Sequence, residues 1–283
     1  MEKHSNIKLA FWLNLGFALI ELVGAFFTNS VAIASDAIHD LGDGLAIGIA
    51  WYLERSSGRA RDSQFSFGYK RFSLLGALIN CLILVFGSIL ILREILPRVF
   101  EPQAVHSEGM LFLAIFGIVF NGFAALRLTR GRSMNEEVLS LHFLEDVLGW
   151  VAVLVVAIAI QFGDYSILDP LLALLIAFWV IWNAVKKLRR TLKIFLQSLP
   201  ENLDIPQVEK RIAEQAQVVG VHDTCLWSLD GEHHVLSAHV LVVPEFKPES
   251  ANALKAQIRK VLLPLGIQHA TLELEWEGEA CPL

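Results

Sequence analysis

Six long apolar stretches follow one another over the first two thirds of the chain. They lie near residues 9–28, 31–53, 72–97, 109–127, 138–160 and 167–185. Each approaches or exceeds the roughly 20 residues that an α-helix needs to cross a bilayer. The pattern therefore predicts an all-α membrane domain of six transmembrane helices over residues 1–200. The first stretch contains Glu21 and lacks a small-residue cleavage site, so we expect it to remain as a span rather than to be a signal peptide.

The pattern changes at SLPENLDIP, residues 198–206, where prolines flank an acidic segment. Beyond it, short amphipathic and alternating segments predict a soluble α/β domain over residues 201–283 that resembles the ferredoxin-like metallochaperone fold. A DG pair at Asp230 and Gly231 between two β-rich segments predicts a hairpin. The predicted elements are a helix (204–217), two strands (221–229 and 234–243), a second helix (250–263) and a last strand (267–276), in which apolar and polar positions alternate.

Composition and charge agree with a membrane protein and give it an orientation. Of the 283 residues, 54% are hydrophobic and only 18% are charged, which excludes an ordinary soluble protein. Lysine and arginine concentrate after the second, fourth and sixth stretches, whereas the opposite loops carry almost none. By the positive-inside rule both termini face the cytoplasm. The basic cluster after the sixth stretch is open to a second interpretation, as a patch that binds specific lipids.

Three cysteines, Cys81, Cys225 and Cys281, form no paired framework and fit a reducing compartment. The net charge of −6 lies largely in the C-terminal part. No basic face studded with aromatic residues argues for nucleic acid. No Walker motif appears, so ATP is not implied, and we expect no organic cofactor.

The stretch SDAIHDLGDG, residues 35–44, places three aspartates and a histidine inside the second apolar segment. Residues four apart in a helix lie about 40° from one another around its axis, so His39 and Asp43 share a face. His142 and Asp146 repeat the spacing in the fifth segment. Two such helices supply two nitrogens and two oxygens, a complete tetrahedral set for a borderline divalent metal such as zinc.

Energetics argues that these residues have a function, because a mid-bilayer aspartate costs roughly 2.5–3.5 kcal/mol on insertion scales. A divalent cation would balance Asp43 and Asp146. The alternative is that histidines and aspartates pair with one another and lock two helices. Asp36 and Asp40 are rotated from His39 by about 60° and 100° around an ideal helix, so neither side chain lies directly on the face of His39. Their roles stay open, as do those of three further polar residues, Asn14, Glu21 and Glu145.

Taken together, the motifs identify a family. NSVAIASDAIHDLGD, FGYKRFSLLGALIN, LHFLEDVLG, DPLLALLIAFWVIWNAVKKL, GVHDTCLWSL and LSAHVLV resemble the cation diffusion facilitators of the zinc-exporter type along essentially the whole chain. The resemblance implies a homodimer of six-span protomers that exports metal in exchange for protons by alternating access. It implies that His39, Asp43, His142 and Asp146 are the transport ligands, with zinc preferred over cadmium, cobalt or iron. The histidine-rich loop frequent in the family is absent, and RLTRGRSMNEE stands in its place.

In the soluble domain the resemblance implies a second zinc site of structural or regulatory character. Its expected ligands are His222, His239, His269, Glu275 and Cys281. The alternative is that these are ordinary surface and core residues. His233 and His234 lie beside the hairpin turn, and we expect them to be solvated.

The sequence thus predicts a metal/proton antiporter in contact with membrane lipid. The compact chain without organelle signals suggests a bacterial inner membrane. Two other classes stay open. A membrane-embedded metalloenzyme would need an open coordination position and a general base, for which Glu145 is the candidate. A non-transporting metal sensor or scaffold would rely on the soluble domain alone.

Overall fold

The computed structural model describes residues 3–57, 61–128, 134–163 and 165–278. The chain divides into two compact units, the first formed by Met1–Tyr52 with Gly76–Leu188 and the second by Leu53–Leu75 with Arg189–Leu283. Six long helices account for most of the first unit. They are α1 (Lys3–Thr28), α2 (Val31–Ser57), α3 (Phe72–Phe100), α4 (Ser107–Leu128), α5 (Met134–Phe162) and α6 (Leu168–Phe195).

Five of these helices, α1 and α3–α6, are long and apolar enough to cross a membrane by the described part of their sequence. The helix α2 has 27 residues, which corresponds to about 40 Å at the usual helical rise. It stands apart from the five because Asp36, Asp40 and Asp43 lie within its first half. The chain is therefore an integral membrane protein with a helical membrane domain.

Inside the first unit, small residues and aromatic rings bring the helices into contact. The ring of Phe17 in α1 stacks on that of Phe120 in α4 with 4.7 Å between their centroids. A Cβ atom added at Gly117 of α4 would lie 2.4 Å from the ring of Trp150 in α5, which is fully buried. The outward positions are large and apolar, as at Phe26 and Phe178, and such exposed surface suits contact with lipid chains.

Hydrogen bonds join three helices at the turn between α1 and α2. Asp169 of α6 accepts hydrogen bonds from the hydroxyl of Ser30 and, at 2.8 Å, from the backbone N–H of Val31, so it caps the first turn of α2. Asn29 has a φ of 56°, and Arg98 of α3 donates to its backbone and side-chain oxygens at 2.8 and 3.0 Å. These contacts fix where α2 begins.

The second unit contains a three-stranded sheet with two helices. Its elements are α7 (Ile205–Ala213), β1 (Val218–Ser228), β2 (His234–Val242), α8 (Ala251–Leu262) and β3 (Ile267–Glu275), with 3₁₀ turns at Pro248–Ser250 and Leu263–Leu265. The strands lie in the order β1-β2-β3, with β1 antiparallel and β3 parallel to β2. The hairpin predicted at Asp230 and Gly231 is confirmed. The first helix is shorter than the predicted 204–217, because Glu214 ends it and Gln217 has a φ of 75°.

The core of the sheet lies on one face only. Val208 and Ile212 of α7 and Leu254 and Ile258 of α8 are buried against Leu236 and other apolar residues of the strands. The alternation predicted for the last strand is confirmed, with Ala270 and Leu272 buried and His269, Thr271 and Glu273 exposed. Glu275 is the exception, since it is buried on the polar side.

Residues Leu53–Leu75, which include the end of α2, the start of α3 and the connection between these helices, belong to the second unit. Asp62 accepts hydrogen bonds from the N–H groups of Gln64 and Phe65 and from the Tyr69 hydroxyl at 2.7 Å. The ring of Phe67 contacts that of His269 edge to face. The described part of this connection, residues 61–71, is therefore a folded segment that contacts the sheet.

Candidate metal centres

The first group of candidate ligands lies inside the helical domain. His39 and Asp43 are one turn apart on α2, and Nε2 of His39 lies 3.7 Å from Oδ2 of Asp43. This contact confirms that the HxxxD spacing places both side chains on one face. Asp146 of α5 is buried, with 6% of its surface exposed, whereas its neighbour Glu145 is exposed. The helix thus turns one carboxylate inward and the adjacent one outward.

Among the described residues, the ligand atoms that converge here include Asp40 and do not include the predicted ligand Asp43. One ligand atom each from His39, Asp40 and Asp146 lie within 4.8 Å of one another. We call these three residues the membrane cluster. Only 1% of Asp40 is exposed, and its Oδ1 makes no hydrogen bond. The side chain of His142 lies outside the described residues, although its backbone belongs to α5.

Two polar residues of α1 lie buried beside the membrane cluster. Glu21 is 1% exposed and interacts with Asp40 and with the indole of Trp150. Asn14 is also 1% exposed, and a Cβ atom added at Gly44 of α2 would lie 2.8 Å from its Oδ1. The glycine therefore lets α1 approach α2 closely. Sequence reasoning noticed Asn14 and Glu21 but left open whether they served packing or the cavity.

Asp36 contributes a further buried carboxylate, with 7% of its surface exposed. Its carboxylate interacts electrostatically with Glu21 and Asp146, but it does not belong to the membrane cluster. In the part of the chain that the structure describes, no lysine or arginine forms an ion pair with Asp36, Asp40 or Glu21. Several carboxylates thus meet in an apolar bundle, and a divalent cation would balance their charge.

A second group lies on the face of the sheet that the helices leave open. His222 of β1 and His239 of β2 are directly opposite in the antiparallel register. Nε2 of His222 lies 3.0 Å from Oε2 of Glu275, and Nδ1 of His239 contacts Oε1 of the same carboxylate. One ligand atom from each lies within 4.8 Å of the others. We call these three residues the sheet cluster.

The sheet cluster fits zinc by its chemistry. Imidazole nitrogen and carboxylate oxygen are common zinc donors, and one such atom from each residue lies within 4.8 Å of the others. Asp223 and Glu273 approach Nε2 of His239 at 3.5 and 3.7 Å. Sequence reasoning did not single out these two carboxylates, since only the strand register reveals them.

Among the described residues, the predicted ligand His269 does not join the sheet cluster. His269 lies four residues before Glu273 on β3, which is roughly 13 Å along a strand, and its ring contacts Phe67. Cys281 lies outside the described residues. The expectation of solvated histidines at the hairpin is wrong for His234, which is buried. His233 is partly buried, with Nδ1 2.6 Å from Oδ2 of Asp230.

The helical domain is apolar and contains buried carboxylates, and the sheet domain has a cluster of two histidines and a carboxylate. Together they define an integral membrane protein with two groups of candidate metal ligands. Comparison with known families identifies the class of membrane protein. A family model described as the cation efflux transmembrane domain matches residues 7–196, and one described as the cation efflux protein cytoplasmic domain matches residues 200–272. The chain belongs to the cation efflux family, as its resemblance to the cation diffusion facilitators predicted. This family consists of transporters, not enzymes.

Curated relatives cover nearly the whole chain. A cadmium, cobalt and zinc/H(+)-K(+) antiporter of Bacillus subtilis is 30% identical over 96% of this chain and 89% of its own length. The zinc transporter ZitB of Escherichia coli is 32% identical over 98% of this chain and 90% of its own length. The metal cation efflux system protein CzcD of Cupriavidus metallidurans is 32% identical over 95% of this chain and 86% of its own length.

Proposed function

We propose that this protein moves divalent metal ions, zinc foremost, out of the cytoplasm in exchange for protons. The observation that carries the proposal is the membrane cluster: an imidazole and two carboxylates from two helices converge inside an apolar bundle. Ionisable groups at such depth usually mark an ion pathway. The names of the relatives support the same activity, since zinc, cadmium and cobalt appear as cargo and protons as a counter-ion.

The cargo would be held by His39, Asp43, His142 and Asp146. Neutral imidazole and carboxylate are suitable zinc donors, and binding to them releases protons when the site is filled. Alternating access would then expose the site to the other side, where protons compete for the same nitrogens and oxygens. A reference histidine pKa of about 6.5 makes this competition effective near neutral pH. The relative from Bacillus subtilis carries potassium in its name as well, so potassium belongs in the assay.

The same proposal includes the number of membrane spans, their orientation and the assembly of the protein. Six helices cross the membrane, with α2 as the sixth because its aspartates are satisfied by the cargo. Both termini face the cytoplasm, the membrane is a bacterial inner membrane, and the membrane and cytoplasmic domains divide near residue 200. The C-terminal domain is of the ferredoxin-like kind and forms a homodimer. It holds zinc in a structural or regulatory role at His222, His239 and Glu275.

Metal flux into proteoliposomes tests the activity. The purified protein is reconstituted, a pH gradient is imposed, and uptake of zinc is followed with an internal fluorescent indicator, with and without potassium. We expect gradient-driven uptake by the intact protein and its loss in Asp43→Asn and Asp146→Asn. Glu145→Gln is the matched control, because it neutralises the adjacent but exposed carboxylate of the same helix.

Three results would count against the proposal. Well-folded intact protein without gradient-driven uptake would favour a metal sensor or scaffold that depends on the sheet cluster. Uptake that persists in Asp43→Asn and Asp146→Asn would mean that the cargo follows another route. Equal loss in Glu145→Gln would mean that α5 tolerates no change of charge, so the loss would not identify a ligand.

A further inference from the structure

The position of Asp40 is the least expected feature of the membrane cluster. It follows His39 directly on α2, so an ideal helix separates the two side chains by about 100°. Ligand atoms of the two residues nevertheless lie within 4.8 Å of each other and of a carboxylate oxygen of Asp146. Around an ion with bonds of 2.0–2.3 Å, donor atoms lie roughly 3–4.5 Å apart. Small side-chain adjustments would therefore bring all three onto one ion.

The surroundings of Asp40 give an independent reason to expect a ligand there. The residue is 99% buried and its Oδ1 makes no hydrogen bond. Glu21 of α1, an equally buried acid, interacts with Asp40. No described lysine or arginine pairs with either carboxylate. Such a group is costly in an apolar interior unless a cation reaches it.

We propose that Asp40 is a direct oxygen ligand of the transported cation and that it sets which cations the site prefers. This inference rests on the proposed transport function and adds to the four ligands implied by family resemblance. Those four make a closed tetrahedral set of two nitrogens and two oxygens. Asp40 adds a third carboxylate, and a coordination number above four favours cadmium and cobalt relative to strictly tetrahedral zinc.

Cobalt spectroscopy reads the coordination number directly. Co²⁺ in a tetrahedral site absorbs visible light much more strongly than five- or six-coordinate Co²⁺, so its ligand-field bands report the loss of a ligand. The full chain carries His222→Ala and His239→Ala in this experiment, so that the sheet cluster takes up no cobalt. Asp40→Leu removes the donor, and Asp40→Asn preserves its shape and serves if the leucine variant does not fold.

We expect weak, higher-coordinate bands in the background protein and a change to strong tetrahedral bands in Asp40→Leu. Dissociation constants for Co²⁺ and Cd²⁺ should rise at least about tenfold, with a smaller rise for Zn²⁺. Asp40→Asn should move in the same direction. Asp36→Asn is the control, since it neutralises a buried carboxylate on the same helix outside the membrane cluster, and its bands should match the background.

The outcomes separate this inference from the transport proposal. If both Asp40 variants keep the background spectrum and affinities while Asp146→Asn loses cobalt binding, Asp40 is not a ligand and the transport site stands. If Asp36→Asn changes the spectrum as much as Asp40→Leu, the effect belongs to buried charge in general, and the assignment of Asp40 is overturned. If Asp146→Asn also binds cobalt normally, the site of the transport proposal is itself wrong.

Discussion

The two clusters contain the same ligand types in opposite surroundings. In the membrane cluster, Asp40 and Asp146 are more than nine-tenths buried in a helical bundle. In the sheet cluster, the side chain of His222 is 45% exposed, and Glu275 already bridges His222 and His239. One group is enclosed and rich in carboxylates, whereas the other is open, richer in imidazole and paired within itself.

This difference bears on what each site can do. Carboxylates that repel one another in an apolar interior are stabilised when a cation binds and are destabilised when it leaves, which suits a site that must fill and empty in each cycle. Histidines held by a carboxylate on a sheet lose less when metal is absent. The open site suits an ion that is sensed or retained, and the enclosed one suits cargo.

The largest expected effect is on the number of zinc ions bound per protomer, which should fall when either cluster loses a ligand. We expect the full-length protein to bind zinc in both, so that Asp146→Asn and His239→Ala each remove one ion per protomer. Loss of a ligand should weaken the affected site by more than about 100-fold. Equilibrium dialysis with elemental analysis measures this, and Glu145→Gln serves as the control with full stoichiometry. Loss of both ions in either variant would show that the clusters are not independent.

The stability of the metal-free protein should change in opposite directions at two buried aspartates. Asp169→Asn removes an acceptor of charge-assisted hydrogen bonds at the start of α2 and should destabilise the bundle by about 1.5–3 kcal/mol. Asp146→Asn relieves repulsion within the membrane cluster and should raise the apparent melting temperature. Thermal unfolding in detergent with a chelator present measures both changes. A fall in both variants would mean that Asp146 is structural.

A smaller effect concerns a buried histidine at the start of β2, outside the sheet cluster. Burial lowers the pKa of His234, with Asp230 opposing and His233 reinforcing the shift, so its folded-state pKa lies below the ordinary value. The unfolded chain therefore takes up the proton more readily. Stability should fall as pH drops from about 6.5 to the folded pKa and then level off.

His234→Gln should remove this step without altering zinc binding at the sheet cluster. Hydrogen exchange of β2 amides, corrected for the intrinsic rate, measures the step between about pH 7 and pH 5.5. An unchanged step in His234→Gln would mean that the step does not come from His234.

Sequence patterns anticipated much of the fold, for identifiable reasons. Six apolar stretches of bilayer length predicted the six long helices, although helices such as α2 and α5 continue beyond their apolar parts, because helical backbone bonds do not end where the hydrocarbon ends. The parallel pairing of β2 with β3 was not predicted, although the strand–helix–strand order of this region is typical of parallel neighbours. The predicted last turn of the first soluble helix does not form, because Gln217 has a positive φ that an α-helix does not accommodate.

The geometry of the candidate sites was also predictable only in part. The shared face of His39 and Asp43 was predictable because both lie on one helix, where spacing fixes the direction of a side chain. The approach of Asp40 to Asp146 was not predictable, because it depends on the placement of a second helix. His269 was a poor candidate, because counting along a strand does not show which residue lies opposite His239. The register does, and it pairs His239 with Glu273 and brings Glu275 within reach.

The most direct test of the division between the clusters is proton-driven zinc uptake by two variants in the same proteoliposome assay. One variant carries His222→Ala with His239→Ala, and the other carries Asp146→Asn. Transport through the membrane cluster predicts that the imposed pH gradient still drives zinc uptake in the sheet variant but not in Asp146→Asn. Uptake by Asp146→Asn, together with its loss in the sheet variant, would contradict this account.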